Sequence, residues 1–455
     1  MDDVTDARPN APRSRLTCTV GCRPDRHTCW EGGSAMSSEF ERNLDKYAEV
    51  IVRVGLNLQP AQRLLIGVPA LGNGTPLELA PLVRLIAKKA YQVGARLVDV
   101  MWNDDQLRLI RFQHAPRDSF EEFPTWRADG AFEVAKAGDA VLIIYAENPD
   151  LLAKQDPALI TTVLQTGFKH TKPFSDLRGK NAMNWVVITA PVDGWPDKVF
   201  PDLPPEDRKA QFWDTIFEIC RVKQPDPVSA WKDHVNELGA RRDYLNHKRY
   251  AALKLAAPGT DLMAGLPKGH IWRAARMTSQ NGIDFTANIP TEEVFTIPHK
   301  DKTEGVVTST KPLSYGGSLI EEFSLTFSKG RVVEATARKG EESLHMLLET
   351  DEGASRLGEV ALVPHSSPIS QSGLLFYNIL IDENAASHIA LGRALRFNIE
   401  GGEAMSDDEF AAVGGNHSLM HIDFMVGSGE MDVDGLTEDG TAEPIMRSGE
   451  WAFEV

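Results

Sequence analysis

The sequence predicts an α/β N-terminal region with parallel strand–helix–strand units, followed by an α+β region. In the first region, apolar runs at 64–68 and 96–102 suit buried strands, and the helical pattern of 77–93 separates them. This order is typical of a parallel pair of strands. Beyond Pro258-Gly259 the pattern changes to short strands separated by Gly and Pro, which indicates an antiparallel or mixed sheet.

The 455-residue chain divides into three parts on this pattern. Residues 1–35 contain three of the four cysteines, differ in composition from the remainder of the chain and lack the apolar core of a secretory signal. We expect them to be a disordered extension, or the product of a start assigned upstream of the true one. Residues 36–256 are the predicted α/β domain, and residues 257–455 are the predicted α+β domain.

Individual elements of the first region are predicted from their apolar spacing. A first helix has apolar residues every three or four positions and ends near Asn57; they are Phe40, Leu44, Tyr47, Ile51 and Val54. Residues 140–145 and 184–189 are further strand candidates, and a long charged helix is predicted from Pro227 to about Leu255. In the second region, strands at 323–327 and 331–336 flank Ser328-Lys329-Gly330 and predict a hairpin.

Charge and missing motifs exclude several classes of function. The formal net charge of −17 opposes binding to nucleic acids and to anionic membrane surfaces. No apolar run approaches the 18 residues of a membrane-spanning helix, and we expect a cytoplasmic protein. The sequence contains neither a complete phosphate-binding loop nor a Gly-x-Ser-x-Gly elbow, so nucleotide chemistry and serine-based acyl transfer are not supported.

The second region contains a candidate metal site. His421 and Asp423 are two residues apart in a strand-like apolar run, so their side chains project from the same face. His388 lies 33 residues upstream of His421, and Glu293 and Glu359 lie in apolar segments of the same half. Buried charges need partners, and a divalent cation is one solution. The alternatives are a hydrogen-bonded His–Asp pair and glutamates held by backbone donors.

The segments around these side chains resemble the aminopeptidase T and aminopeptidase S family of metallopeptidases. They are residues 288–298, 356–364, 383–392 and 418–428, and the likeness extends from about Met36 to the C-terminus. The resemblance implies a homodimeric exopeptidase of two domains that acts on peptides with a free N-terminus. It also implies two divalent cations, zinc, cobalt or manganese, bound by the side chains at the matching positions, with Glu359 bridging both. These are Glu293, Glu359, His388, His421 and Asp423.

Two cations that share a water lower the pKa of that water and polarise the scissile carbonyl. The substrate amino group can bind a metal or a nearby carboxylate, which would limit cleavage to the first residue. We expect Asp382 and Glu383 to orient their neighbours rather than to bind metal.

One position departs from the family pattern. A tyrosine normally stands seven residues after the first histidine of the site and supports the tetrahedral intermediate, whereas this chain has Leu395. Leucine cannot donate a hydrogen bond, and loss of such a donor slows turnover by roughly 10²–10³. Arg393 and Arg396 are nearby donors that can compensate.

Two other functions use the same residues. Two histidines and an aspartate can form a facial triad for ferrous iron, and a ring-opening dioxygenase of hydroxypyridines is similar to this peptidase family. Glu293 and Glu359 argue against that alternative, because a mononuclear iron site does not need them. The other alternative is a metal-binding relative with weak catalysis, which Leu395 motivates.

Overall fold

The computed structural model of the chain describes residues 35–69, 74–315 and 318–455. Apart from Ala35, the predicted extension at 1–35 lies outside the described residues. From Arg42 to Val455 the chain forms one compact unit. The boundary expected between residues 256 and 257 stays a prediction.

The helices and strands are numbered in chain order. The helices are α1 (Ala35–Val50), α2 (Ala80–Gln92), α3 (Asp105–His114), α4 (Thr125–Lys136), α5 (Pro157–Gly179), α6 (Trp195–Val199), α7 (Pro205–Ile219), α8 (Pro227–Lys248), α9 (Glu341–Leu348), α10 (Pro368–Gln371), α11 (Ile379–Asp382) and α12 (Asp407–Ala412). The strands of the first half and of its junction with the second are β1 (Arg63–Ile66), β2 (Thr75–Pro76), β3 (Leu97–Val100), β4 (Trp102–Asn103), β5 (Ala140–Ile144), β6 (Trp185–Ile188), β7 (Ala252–Ala257), β8 (Thr260–Gly265), β9 (Arg276–Thr278), β10 (Asp284–Thr286) and β11 (Asn288–Ile289). The remaining strands are β12 (Val294–Thr296), β13 (Thr303–Thr308), β14 (Leu313–Tyr315), β15 (Ser318–Ser328), β16 (Arg331–Lys339), β17 (Leu357–Leu362), β18 (His388–Gly392), β19 (His421–Met425), β20 (Asp432–Leu436), β21 (Ala442–Arg447) and β22 (Glu450–Trp451).

A parallel sheet organises the first half, in the strand order β11-β6-β5-β1-β3. The predicted strand–helix–strand unit is confirmed, because β1 pairs in parallel with β3 and α2 connects them. All five residues of β5 are buried, as a continuous apolar strand inside a parallel sheet requires. The strand β11 comes from the second half of the sequence and pairs in parallel with β6.

The long helix predicted from Pro227 ends earlier than expected. Asp226 caps its first turn by accepting a hydrogen bond from the backbone N–H of Ser229, but the helix ends at Lys248. Arg249 takes a left-handed conformation with φ of 49°, which stops the helix. The next strand is β7, in which Leu253 and Leu255 are buried and Lys254 between them is exposed. The prediction of helix to about Leu255 is therefore wrong, because this short stretch alternates with a period of two.

The second half contains antiparallel sheets, as expected. A large sheet has the order β14-β15-β13-β8-β7-β20-β21-β22, with β16 also pairing with β15. The predicted hairpin is confirmed, since Ser328 of β15 is paired with Arg331 of β16. A smaller antiparallel sheet, in the order β12-β17-β18-β19, carries the candidate site. Every residue of β17 and β18 is buried, so charged side chains on these strands lie inside the protein.

None of the helices within the described ranges has the length and hydropathy needed to cross a membrane.

Candidate metal centre

The small antiparallel sheet brings the five predicted side chains together. Glu359 lies on β17, His388 begins β18, and His421 and Asp423 lie on β19. Glu293 directly precedes β12, which pairs with β17. Strand registers align Glu359 with Ala390, which in turn is opposite Asp423. Neighbouring strands therefore deliver the carboxylates and imidazoles to one region of the sheet.

Two glycines allow the strands to approach closely beside the site. A Cβ atom at Gly358 would lie 2.5 Å from the carbonyl oxygen of Gly392 and 2.6 Å from that of Arg393. Gly392 has φ of 98°, and a Cβ atom there would lie 2.4 Å from the carbonyl oxygen of Met420. Larger residues at either position would push β17, β18 and β19 apart.

The five side chains form two groups that share Glu359. In the first, Nε2 of His388 lies 3.3 Å from Oε2 of Glu293 and 3.7 Å from Oε1 of Glu359. In the second, Nε2 of His421 lies 3.6 Å from Oε2 of Glu359 and 3.4 Å from Oδ1 of Asp423. Each group offers ligand atoms that all lie within 4.8 Å of one another. The two oxygens of Glu359 thus face different imidazoles.

Backbone carbonyls orient both imidazoles. Nδ1 of His388 donates to the carbonyl of Ala386 at 3.1 Å, and Nδ1 of His421 donates to the carbonyl of Arg393 at 2.6 Å. Because a carbonyl oxygen can only accept, the proton of each neutral ring is on Nδ1. The lone pair on Nε2 is then directed at the carboxylates, which is the arrangement that metal-binding histidines use.

Burial makes the charges of this site depend on one another. Glu359, Glu293 and Asp423 are 5%, 8% and 7% exposed, so their charges need compensation from within the site. Burial raises the pKa of Glu359. Burial alone would lower the pKa of His388, but the carboxylates of Glu293 and Glu359 outweigh it and raise that pKa well above its usual value.

The pKa of His421 is raised as well. Burial opposes its charge, but Asp423, Glu359 and the hydrogen bond to the carbonyl of Arg393 together outweigh burial and raise the pKa of His421 to about 9. Conversely, burial alone would raise the pKa of Asp423, but His421 and His388 together more than reverse this effect and lower that pKa. In the metal-free protein, protons on the two imidazoles supply the positive charge that the carboxylates need.

The donor set fits divalent cations. Oδ1 of Asp423 is buried and receives no hydrogen bond of good geometry among the described residues, although Nε2 of His421 lies 3.4 Å from it; carboxylate oxygens in such places are normally satisfied. Carboxylate oxygens and neutral imidazole nitrogens are the ligands that zinc, cobalt and manganese accept. A cation beside Asp423 would satisfy the unpaired oxygen and replace the protons on the imidazoles.

Comparison with known proteins agrees with this donor set. The family model described as thermophilic metalloprotease (M29) matches residues 40–451. The chain belongs to this family. It is therefore a metal-dependent hydrolase of peptide bonds, which favours hydrolysis over the oxygenase alternative.

The similarity to individual relatives extends over almost their whole length. Aminopeptidase 2 of Geobacillus stearothermophilus is 48% identical, over 92% of this chain and 100% of that protein. Aminopeptidase T of Thermus thermophilus is 42% identical, over 90% of this chain and 99% of that protein. Among solved structures, wild-type AmpT from Thermus thermophilus is similar with a TM-score of 0.85, over 91% of this chain and 100% of that chain.

Leu395, where the family resemblance predicts a tyrosine, lies close in sequence to the site sheet. Leu395 is half-buried and follows β18 by three residues. Arg396, one of the two donors expected to compensate, is engaged elsewhere, because it hydrogen-bonds the carbonyl of Met405 at 2.8 Å and contacts Asp407. That alternative is not supported. No hydrogen bond of the Arg393 side chain is found among the described residues.

Two further residues border the site of this M29 protein. Glu383, for which only an orienting role was expected, has its pKa raised well above the usual value by burial and by the negative charges of Glu293 and Asp423. Tyr145 was not anticipated; burial and the carboxylates of Glu147 and Glu383 raise the pKa of its phenol. Tyr145 directly follows β5, and ligands of α/β proteins bind beyond the carboxyl ends of parallel strands, so this rule could have identified it.

The neighbouring Asp382 does have the orienting role expected for it. Its carboxylate accepts hydrogen bonds from the backbone N–H groups of Phe376 and Asn378, at 2.8 and 3.0 Å. It thereby orders the loop that leads to His388.

Proposed function

We propose that this M29 protein is an aminopeptidase that removes the N-terminal residue of peptides at a centre of two divalent cations. The observation that carries the proposal is the pair of ligand groups that share Glu359. Relatives that bear the name aminopeptidase and span nearly the whole chain support the same function.

In this proposal one cation is held by Glu293, Glu359 and His388, and the other by Glu359, His421 and Asp423. Zinc, cobalt and manganese are the expected metals, because the ligands are imidazoles and carboxylates. A pair of such cations would lower the pKa of a shared water and polarise the scissile carbonyl. The backbone carbonyls of Ala386 and Arg393 keep Nε2 of the two histidines facing the carboxylates.

Selection of the N-terminal residue is assigned to Glu383. Its carboxyl group is within electrostatic reach of Glu293 and Asp423 and forms no hydrogen bond among the described side chains. Cations at the centre and the substrate ammonium group would both favour the ionised form of Glu383, and that carboxylate can accept hydrogen bonds from the ammonium group. Peptides without a free amino group would lose this interaction and would bind poorly.

The test is a metal count and a peptidase assay on the same preparation. Protein stripped with a chelator and reloaded with zinc, cobalt or manganese should bind two cations per chain and release leucine from leucyl-glycyl-glycine. N-acetyl-leucyl-glycyl-glycine is the control, and it should be resistant. Absence of leucine release with all three metals would refute the function, and cleavage of the acetylated peptide would refute the restriction to free N-termini.

The homodimer and the cytoplasmic location stay predictions, and they rest on the family resemblance and on composition. Sedimentation velocity of the full chain should give a mass near twice 50.2 kDa. A single species of monomer mass at micromolar concentration would contradict the dimer.

A further inference from the structure

A completely buried asparagine, Asn384, connects the segment of Glu293 to the segment of His388. Its Oδ1 accepts a hydrogen bond from the backbone N–H of Glu292 at 2.7 Å, and its Nδ2 donates to the carbonyl of Leu380 at 3.0 Å. Glu292 directly precedes Glu293, and Asn384 lies four residues before His388. One amide group therefore connects the segments of two ligands of the same proposed cation.

The peptide unit between Thr291 and Glu292 is held at both of its polar ends. Asn384 binds its N–H, and Nε2 of His234, on α8, donates to its carbonyl at 2.8 Å. Nδ1 of the same ring accepts from the guanidinium of Arg221 at 3.2 Å, and that guanidinium also pairs with the Glu292 carboxylate. Because the C=O and N–H of a trans peptide point in opposite directions, the two side chains hold this unit from opposite sides.

Glu293 differs from the other proposed ligands because it lies outside the strands of the site sheet. The other four lie on β17, β18 and β19, where strand pairing fixes the backbone. β12 begins at Val294 and pairs with β17 from that residue onward, so this ladder does not include the peptide unit 291–292. Buried backbone groups need partners, and here Asn384 and His234 supply them in place of a neighbouring strand.

We propose that Asn384 is a positioning residue that holds Glu293 beside His388 before a cation binds. The proposal rests on the proposed two-cation aminopeptidase. Nε2 of His388 lies 3.3 Å from Oε2 of Glu293, and without the hydrogen bonds of Asn384 the preceding peptide unit could turn and this separation would not be fixed. A ligand that must be ordered at the moment of binding costs affinity. The cation of the first ligand group, which contains Glu293, should therefore depend on Asn384, whereas the cation of the second group should not.

The first test is a titration of stripped protein with cobalt(II), followed by equilibrium dialysis and by the visible absorption of the bound ion. Wild-type protein should bind two ions per chain. In Asn384→Ala the affinity for one ion should fall by about 10–100-fold, the cost of removing an outer partner of a metal ligand, and the affinity for the other should change little. Unchanged affinities for both ions would overturn the proposal.

Asn184→Ala is the matched control. Asn184 is also completely buried, and its Nδ2 donates to the carbonyl of Leu56 at 2.7 Å, but it directly precedes β6 in the N-terminal half. Asn184→Ala should lower the free energy of unfolding, as Asn384→Ala does, and should leave both cobalt affinities at the wild-type level. An equal loss of affinity in the two variants would be a general effect of destabilisation and would exclude a positioning role.

Double variants identify which ion depends on Asn384. Glu293→Gln leaves the second ligand group intact, and Asp423→Asn leaves the first. The effect of Asn384→Ala on the remaining ion should persist beside Asp423→Asn and disappear beside Glu293→Gln, because the side chain that Asn384 positions is then already altered. An effect of equal size in both backgrounds would contradict the proposal.

Hydrogen exchange gives a readout that needs neither metal nor turnover. In stripped wild-type protein the amides of residues 291–296 should exchange slowly, and their exchange should be faster in Asn384→Ala but not in Asn184→Ala. Rapid exchange of this segment in stripped wild-type protein would overturn the proposal, whether or not the variants fold. The serine of Asn384→Ser is too short to reach Glu292 but leaves a smaller void, and this variant replaces Asn384→Ala if the alanine variant does not fold.

The two proposals fail in different ways. Failure of wild-type protein to bind two cobalt ions, or to cleave leucyl-glycyl-glycine, would refute the proposed function itself. Normal binding and cleavage by the wild-type protein, with unchanged affinities in Asn384→Ala, would refute only the role of Asn384.

Discussion

His421 donates a hydrogen bond from Nδ1 to the carbonyl of Arg393, at 2.6 Å. This contact decides which ring nitrogen faces Glu359 and Asp423, because the carbonyl occupies the other one. The same contact joins β19 to the turn after β18, because Arg393 directly follows that strand. One backbone carbonyl thus fixes the ring orientation of a proposed cation ligand.

Metal binding should release protons. Since Asp423 and Glu359 raise the pKa of His421 to about 9, against burial, its imidazole is protonated at neutral pH without metal. A cation must displace that proton, so apparent affinity should rise about tenfold per pH unit for each proton released. Calorimetric titration with zinc in buffers of different ionisation enthalpy counts these protons. Binding without proton release at pH 7 would contradict the charge balance described for the site.

The free energy of unfolding of the metal-free protein should fall as the pH rises, whereas the affinity for metal should rise. The folded-state pKa of His421 is raised, so its contribution is fully present below the unfolded value, about 6.5, and is lost as pH rises through about 9. We expect the free energy of unfolding of stripped protein to fall across this interval. Denaturant titrations at pH 6.5 and 9 measure it, with His421→Gln as the reference that lacks the ionisation.

Glu359→Gln should remove the shared ligand. An amide carries no charge and cannot compensate two cations, so we expect fewer than two metals per chain. Removal of a residue that only hydrogen-bonds a metal ligand costs roughly 10–100-fold in activity, and the loss in Glu359→Gln should be larger. Metal analysis and the leucyl-glycyl-glycine assay check this. The control is Glu334→Gln, an exposed glutamate on β16, and full metal content in Glu359→Gln would argue against a bridging role.

Leu395→Tyr should raise kcat if a phenol at this position can reach the site. Restoring a donor to the developing negative charge can add up to roughly 10²–10³ in kcat. Leu395→Phe is the control, because it adds the ring without the hydroxyl. An unchanged kcat in the tyrosine variant, with normal metal content, would show that another group of this chain supplies the donor. Tyr145→Phe then tests whether the phenol after β5 is that group.

Arg221 and Glu292 form an ion pair that supports the segment of Glu293. The guanidinium contacts both carboxylate oxygens, at 2.5 and 2.9 Å, and the Glu292 side chain is 4% exposed. Arg221→Met leaves a buried carboxylate unpaired and should lower the free energy of unfolding by about 3–5 kcal/mol. Chemical denaturation measures the change. The double variant Arg221→Met/Glu292→Leu should recover part of the loss, and equal destabilisation of both variants would exclude the unpaired charge as its cause.

Local pattern was sufficient for much of the fold, but not for the candidate site. The apolar runs of β1, β5 and β6 and the turn at Ser328-Lys329-Gly330 are recognisable within a few residues of sequence. The five candidate ligands were recognised through motif resemblance, and the strands they occupy lie side by side. That they bind metal stays a prediction.

What sequence could not supply depends on contacts between distant segments. The helix that ends at Lys248 was predicted too long because the left-handed residue that stops it is Arg249, and not the glycine that commonly marks such an end. Tyr145 carries no local pattern that relates it to Asn378 or Glu383, more than 200 positions away. Only folding brings the end of β5 close to the segment of Asn378 and Glu383.

The pairing of β11 with β6 has a practical result for protein engineering. A cut at residue 257 would remove β11, the edge strand, from the N-terminal sheet. The backbone of β6, Trp185–Ile188, would then be exposed on one side. β11 also lies a few residues before Glu293. A fragment that begins at residue 257 would therefore lack β6, the strand with which the segment before Glu293 is paired. Truncation studies should therefore keep both halves in one polypeptide, or supply the missing half in trans.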